Sequence, residues 1–181
     1  MIKSVKWIFV VLVFSSLISL SFRNDESAFT EGLRVGEEAP ELLLCNQMQP
    51  LDLHAPAGSY TLLSFWASYD ATSRLTNLSL SRVAGHNSRI KMISVSFDEY
   101  RSAFNASVRQ DGLPEASCHW ETEGEKSEIF KRYGLKNGFK NYLLDSEGKV
   151  VACNVTSDEL TALLLSLIHI SEPTRQEAIS Y

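Results

Sequence analysis

Three cysteines are the first residues in this chain that could carry out nucleophilic or redox chemistry: Cys45, Cys118 and Cys153. They lie far apart in the sequence, so the chain has no Cys-x-x-Cys pair and no tight metal-binding knuckle. Each thiol could be a buried inert side chain, one half of a structural disulfide, or a redox-active thiol. The third interpretation favours Cys118, although His119 beside it would point to the opposite face of a strand.

The other candidate side chains do not form a motif for a metal or a cofactor. His54 and His86 stand in turn-like segments without a cysteine or carboxylate at ligand spacing, so we expect both to be solvated. The sequence contains no glycine-rich phosphate loop, zinc-protease helix or nucleophile-elbow serine. We therefore predict no cofactor and no metal.

Alternating strands and helices must position any functional site in this chain. An apolar, aromatic-rich run of strand length opens the pattern, which is typical of a strand buried on both faces. The predicted elements begin with a strand at 60–67, a helix at 71–84 and a strand at 90–97. Helices at 99–110 and 125–133 follow, and then a hairpin of 141–144 and 149–155 and a final helix capped by Thr156 or Ser157. This order predicts an α/β fold with a mixed sheet and helices on both faces.

Asp70 lies directly before the first predicted helix. Aspartate is among the best N-cap residues, by about 1 kcal/mol over alanine, and its charge suits the positive end of a helix. We predict a capping role, with a partner contact or a catalytic carboxylate as alternatives. Trp66 and Tyr69 flank this turn, either as packing residues or as an aromatic contact surface.

Composition restricts the classes of function. The chain has 181 residues, 44% of them hydrophobic and 22% charged, with a formal net charge of −5. These values suit one globular domain and exclude a disordered polyanion or a full membrane protein. The acidic balance also argues against a nucleic-acid partner, which would require a basic face.

The two ends differ from the domain, which we place at residues 36–165. Two lysines followed by a short apolar run predict a signal peptide over residues 1–21 and a periplasmic or secreted protein. The alternative is an inner-membrane anchor through residues 7–20, although the run is short for a span. Residues 22–35 are predicted as a linker. Residues 166–181 form a tail unrelated to the domain, which is similar to translated sequencing-adapter read-through.

Four strings in one uninterrupted order resemble the TlpA/ResA-like periplasmic thioredoxins. They are "VGEEAPELLL", "YTLLSFWASYD", "MISVSFDE" and "YGLKNGFKNYLLDSEGKVVA". The resemblance implies a thioredoxin-like fold with an N-terminal strand extension, in a family of thiol-disulfide oxidoreductases related to the AhpC/TSA peroxidases.

The resemblance ends where the family's chemistry is located. Family members carry Cys-x-x-Cys after the first strand, and this register places Asp70 and Ser73 at the two cysteine positions. A carboxylate and a hydroxyl cannot form a disulfide, so thiol exchange by the family route is excluded. The family's cis-proline corresponds to Phe139, for which we predict an ordinary trans peptide bond.

Two functions from different classes therefore remain, beside a decaying gene without function. The first is a redox-inactive thioredoxin-like module that binds or scaffolds another envelope protein. Its expected binding face consists of Trp66, Tyr69, Asp70 and Phe139. The second is an oxidoreductase of cell redox homeostasis that uses a non-standard cysteine, with Cys118 as the best candidate.

Overall fold

The fold was analysed in a computed structural model, which describes the backbone of residues 32–171 and the side chains of residues 32–166. The predicted signal segment, most of the predicted linker and the end of the predicted tail lie outside the described residues. Strands and helices alternate as expected. The strands are β1 (Tyr60–Trp66), β2 (Ile90–Ser96), β3 (Cys118–Trp120), β4 (Asn141–Leu144) and β5 (Val150–Cys153), and the α-helices are α1 (Ala71–Gly85), α2 (Arg101–Asp111), α3 (Glu128–Arg132) and α4 (Ser157–Ser171).

The five strands form one mixed sheet in the order β3-β2-β1-β4-β5. β1 and β2 run parallel in a register that pairs Tyr60 with Ile90 and Trp66 with Ser96. β3 continues the parallel half, whereas β4 and β5 add antiparallel strands on the other side. The predicted α/β fold with a mixed sheet is therefore confirmed. β1 lies in the centre, which explains why its sequence is an apolar run without alternation.

The two faces of the sheet bury separate hydrophobic clusters. Successive residues of β1 point to opposite faces, so Leu62 and Leu63 belong to different clusters. Leu62 packs with Leu80 of α1 and Leu160 of α4. The opposite cluster is larger and aromatic, and its members include Phe65, Phe97, Phe130, Tyr133 and Tyr142. This aromatic cluster supports the loops at one end of the sheet.

Two elements differ from the sequence-based expectation. The strand β3 was not predicted, because three residues are too short to show a period of two. The helix expected over 125–133 is divided into a 3-10 turn at Gly124–Lys126 and the short α3. Ser127 lies between them in an extended conformation, and its hydroxyl accepts a hydrogen bond from the N–H of Phe130 at 3.1 Å. This N-cap starts a new helix instead of continuing the old one.

The first and last elements of the domain also differ from the predicted ones. The N-terminal extension pairs with the sheet edge through one antiparallel bridge between Glu38 and Lys149, which is shorter than the predicted lead-in strand. At the other end, α4 continues to Ser171, past the predicted domain end at residue 165. Within the described part of the chain, none of the helices combines the length and the apolar character that a membrane crossing requires.

Candidate functional site

The turn between β1 and α1 and the loop at 138–141 meet at one end of the sheet. Together they line a cavity of about 170 Å³. Its lining residues include Asp70, Thr72, Ser73, Phe139 and Lys140. Pockets for drug-sized ligands usually have about 300–1,000 Å³. The turn and the loop are therefore better suited to contact with a protein surface than to enclosing a small molecule.

Asp70 caps α1, as the sequence predicts. Its backbone is extended, with φ −100° and ψ 98°, and its Oδ1 accepts a hydrogen bond from the N–H of Thr72 at 3.2 Å. The carboxylate thus satisfies one of the backbone donors that a helix N-terminus leaves unpaired. Within the described residues this is the one hydrogen bond of the side chain, so Oδ2 can accept from a ligand.

Ser73 lies in the first turn of α1, where its hydroxyl has a structural task. The side chain is buried, and its Oγ donates to the backbone oxygen of Asp70 at 3.2 Å. Oγ of Ser73 also accepts a hydrogen bond from the N–H of Ala67 at 3.4 Å. Ser73 therefore ties the end of β1 to the start of α1. Because this hydroxyl already donates one hydrogen bond and accepts another, it is poorly placed to act as a nucleophile.

Phe139 forms the other side of the site. Within residues 32–171 every peptide bond is trans, which confirms the prediction for this position. The half-buried ring lies 5.9 Å from the ring of Phe97 and 6.3 Å from that of Phe130, measured between centroids. It also lies 6.3 Å from the ring of Tyr69. Phe139 therefore connects the aromatic core to the surface of the site.

The two aromatic residues of the turn have opposite environments. Tyr69 is 66% exposed, whereas Trp66 is fully buried and donates its Nε1–H to Ser94 Oγ at 2.8 Å. The expectation that Trp66 belongs to an exposed binding face is wrong, because its ring packs against Phe104 inside the domain. Sequence alone could not separate the two, since each flanks the same turn. The face that remains consists of the exposed Tyr69 and the half-buried Asp70 and Phe139.

Asp98 was missed by the sequence analysis, although it holds the turn in place. Its carboxylate is 2% exposed and accepts hydrogen bonds from the N–H and the hydroxyl of Ser68, at 2.8 and 2.5 Å. The second oxygen accepts from Ser96 Oγ at 2.8 Å. The nearest signal in the sequence is the Ser-x-Asp pattern at the end of β2, where a carboxylate can follow the strand into its loop.

The electrostatic environment of Tyr69 is acidic. Partial burial raises the pKa of its phenol, and the negative charges of Glu125, Asp98 and Asp70 raise it further. Glu125 comes from the 3-10 turn that precedes α3 and was also missed by the sequence analysis. Each of these groups disfavours a negative phenolate, so Tyr69 is a neutral aromatic side chain surrounded by carboxylates.

All three thiols are free, and they lie outside the α1 turn. Cys45 is an exposed residue, whereas Cys118 and Cys153 are half-buried. Desolvation, together with hydrogen bonds to Glu121 and Glu123 and their negative charges, raises the pKa of Cys45 to about 12. Burial raises the pKa of Cys118 to about 11, and it also raises the pKa of Cys153. Since the thiolate is the reactive species, none of these sites favours a nucleophile at neutral pH.

The three histidines whose side chains the structure describes lie outside the site. His54 and His86 are exposed, as predicted, and Nδ1 of His54 lies 3.1 Å from Asp52 Oδ1. His119 follows Cys118 along β3, and burial lowers the pKa of its imidazole. Among the residues that the structure describes, the cysteines, histidines and carboxylates do not converge in a set that could hold a metal ion.

Comparison with solved structures identifies the family. A thioredoxin-like protein from Parabacteroides distasonis is 38% identical to this chain, with a TM-score of 0.68, and the match covers 74% of this chain and 96% of that one. A thiol-disulfide oxidoreductase from Bacteroides fragilis is 27% identical, with a TM-score of 0.60 and coverage of 72% and 99%. The thioredoxin domain of a thiol-disulfide oxidoreductase from Bacteroides vulgatus shares the fold at 19% identity, with a TM-score of 0.60 and coverage of 75% and 99%.

No family model matches the sequence. No curated protein matches it either. The structural relatives nevertheless suffice for classification, since the first of them combines high identity with nearly complete coverage. The chain belongs to the thioredoxin-like superfamily, as a TlpA-like member.

Proposed function

We propose that this chain is a redox-inactive thioredoxin-like module of the cell envelope that binds another protein through the face of Tyr69, Asp70 and Phe139. The observation that carries the proposal is the hydrogen bonding at the start of α1, where Asp70 caps the helix and Ser73 ties it to β1. Neither side chain can exchange with a disulfide. An envelope location is supported by the signal-like start of the sequence.

The chemistry of the remaining thiols supports the same proposal. An oxidoreductase of this fold needs a thiolate that is accessible near neutral pH. Burial raises the pKa of Cys118 to about 11, and Cys45 is held beside the negative charges of Glu121 and Glu123. A binding role, by contrast, needs only an exposed surface, and Tyr69 provides an unusually exposed aromatic ring.

The test compares partner capture by face variants in envelope extracts from the native cell. Asp70→Arg and Phe139→Arg should each abolish capture of a partner that the wild-type protein retains, because each places a long cation on the face. Met48→Arg is the matched control, since Met48 is a fully exposed apolar residue of the N-terminal segment. Thermal melts of all variants separate lost binding from lost folding. If both face variants retain the partner, the proposed face is wrong.

A thiol-disulfide oxidoreductase that uses Cys118 is the second candidate. It is supported by the activity named for the relative from Bacteroides fragilis and by a cavity of about 300 Å³ that reaches this thiol. Cys118 would attack a substrate disulfide to form a mixed disulfide, and a second thiol outside this chain would have to release the product. This candidate predicts that the wild-type protein reduces insulin disulfides with dithiothreitol and that Cys118→Ser does not. A wild-type protein without activity would exclude it.

A further inference from the structure

The face that we propose for binding has a chemical bias that identifies its partner more closely. We define the Tyr69 patch as the rings of Tyr69 and Phe139 together with the side chains of Asp70 and Glu125. Tyr69 is 66% exposed, and its ring is backed by Phe139 at 6.3 Å. The patch therefore presents a firmly supported aromatic surface.

Three carboxylates lie near this aromatic surface. Asp70 adjoins Tyr69 in the turn, and Asp98 lies behind it through the hydrogen bond to the N–H of Ser68. Glu125 belongs to the 3-10 turn before α3 and is exposed. All three carboxylates act on the Tyr69 phenol and help to raise its pKa. Oδ2 of Asp70 accepts no hydrogen bond within the described residues.

Three of the cations around this end of the sheet make contacts with other groups. Arg74 donates to both carboxylate oxygens of Asp111, at 2.7 and 2.8 Å. The ammonium of Lys140 lies beside Gly32: its Nζ is 2.7 Å from the position that a Cβ on this glycine would occupy. Arg101 lies over the ring of Trp120, at 6.0 Å from the centroid. None of these contacts is with Asp70, Asp98 or Glu125, so they do not neutralise the carboxylates near Tyr69.

We propose that the occupant of the Tyr69 patch is an extended protein segment in which arginine alternates with apolar residues. This inference rests on the proposed binding function. Arginine suits the patch because its planar guanidinium stacks on aromatic rings and donates to carboxylates at the same time. The apolar neighbours of the arginine would pack on Phe139, and the chain's net charge of −5 would favour encounter with a basic segment.

The test uses purified protein and three labelled peptides of equal length. One alternates arginine with leucine, and the others replace arginine with glutamine or glutamate. Fluorescence anisotropy should show binding of the arginine peptide alone, and higher salt should weaken it. Asp70→Asn and Glu125→Gln should each weaken binding about two- to fivefold. Asn also caps helices, so the first variant keeps α1 intact.

A matched control and a second readout separate this inference from the proposed function. Glu147→Gln removes a charge from the β4–β5 turn, at the opposite end of β4 from the site, and should leave binding unchanged. Equal affinity for the arginine and glutamate peptides, or no binding of the arginine peptide, would overturn the inference. If Phe139→Arg then still abolished capture of the envelope partner, the binding function would stand with a partner of different charge. If capture also persisted, both proposals would fail.

Discussion

Replacing Asp98 with alanine should destabilise the domain and loosen the turn that carries Tyr69. The carboxylate accepts three hydrogen bonds, two from Ser68 and one from Ser96. A hydrogen bond to a charged group contributes about 1.5–3 kcal/mol, but desolvation of a buried carboxylate offsets part of the sum. In the alanine variant, water can replace the carboxylate as the partner of the half-buried Ser68. The hydroxyl of Ser96 is fully buried, so it loses this acceptor without a replacement from solvent. We therefore expect a loss of about 2–4 kcal/mol in the free energy of unfolding.

Urea denaturation measures this loss, with an unchanged m-value as the sign that the unfolded state is the same. Asp98→Asn should cost less than the alanine variant, because its amide oxygen can still accept from Ser68. Ser96→Ala combined with Asp98→Ala should cost less than the sum of the two single variants, since both remove the same hydrogen bond. Hydrogen exchange at the Ser68 amide should accelerate in Asp98→Ala. A stability equal to that of the surface control Glu147→Gln would refute the reasoning.

Three further predictions concern the thiols, the helix pairing and the α1 turn. Burial raises the pKa of Cys118 to about 11; near pH 8 only about 0.1% is thiolate, and alkylation, followed by peptide mass spectrometry, should accelerate about tenfold per pH unit. A rate that levels off below pH 9 would contradict this. Arg74→Ala removes the two-point ion pair with the partly buried Asp111 and should cost about 1–2 kcal/mol in urea denaturation; an unchanged midpoint would show that the pair contributes nothing. The double variant Asp70→Cys and Ser73→Cys should form an internal disulfide with oxidised glutathione, seen as the loss of two hydrogens in the intact mass, because α1 keeps the turn that places both positions together. A mass that stays reduced would show that the turn has lost this geometry.

Strong local patterns made most of the fold predictable. β1 has an uninterrupted apolar run, and α1 begins at a favourable cap, so both elements were predicted to within one residue at each end. β3 was missed because a strand as short as three residues is defined by its pairing with β2 and not by its own composition. The helix expected over 125–133 was divided because Ser127 starts α3 with its own cap. The start of α3 is therefore set by a local hydrogen bond, which the spacing of apolar residues does not reveal.

The candidate site was predictable in part. The capping role of Asp70 and the trans peptide at Phe139 follow from residue types alone, and both are confirmed. The composition of the exposed face was not predictable, since Trp66 and Tyr69 are both aromatic and flank the same turn. Asp98 was overlooked because its partner Ser68 lies 30 residues earlier in the chain.

The sequence by itself determined the class of fold and the absence of a cysteine pair at the start of α1, because both depend on which residues follow one another. Tertiary structure decided which side chains reach the surface and which charges surround them. Trp66 packs against Phe104 and donates its N–H to Ser94, 28 residues away, whereas Asp98 holds the residue before the exposed Tyr69. Glu125 acts on Tyr69 across an even longer separation in sequence. Such contacts exist only after the sheet has assembled, so no local pattern could encode the acidic aromatic patch.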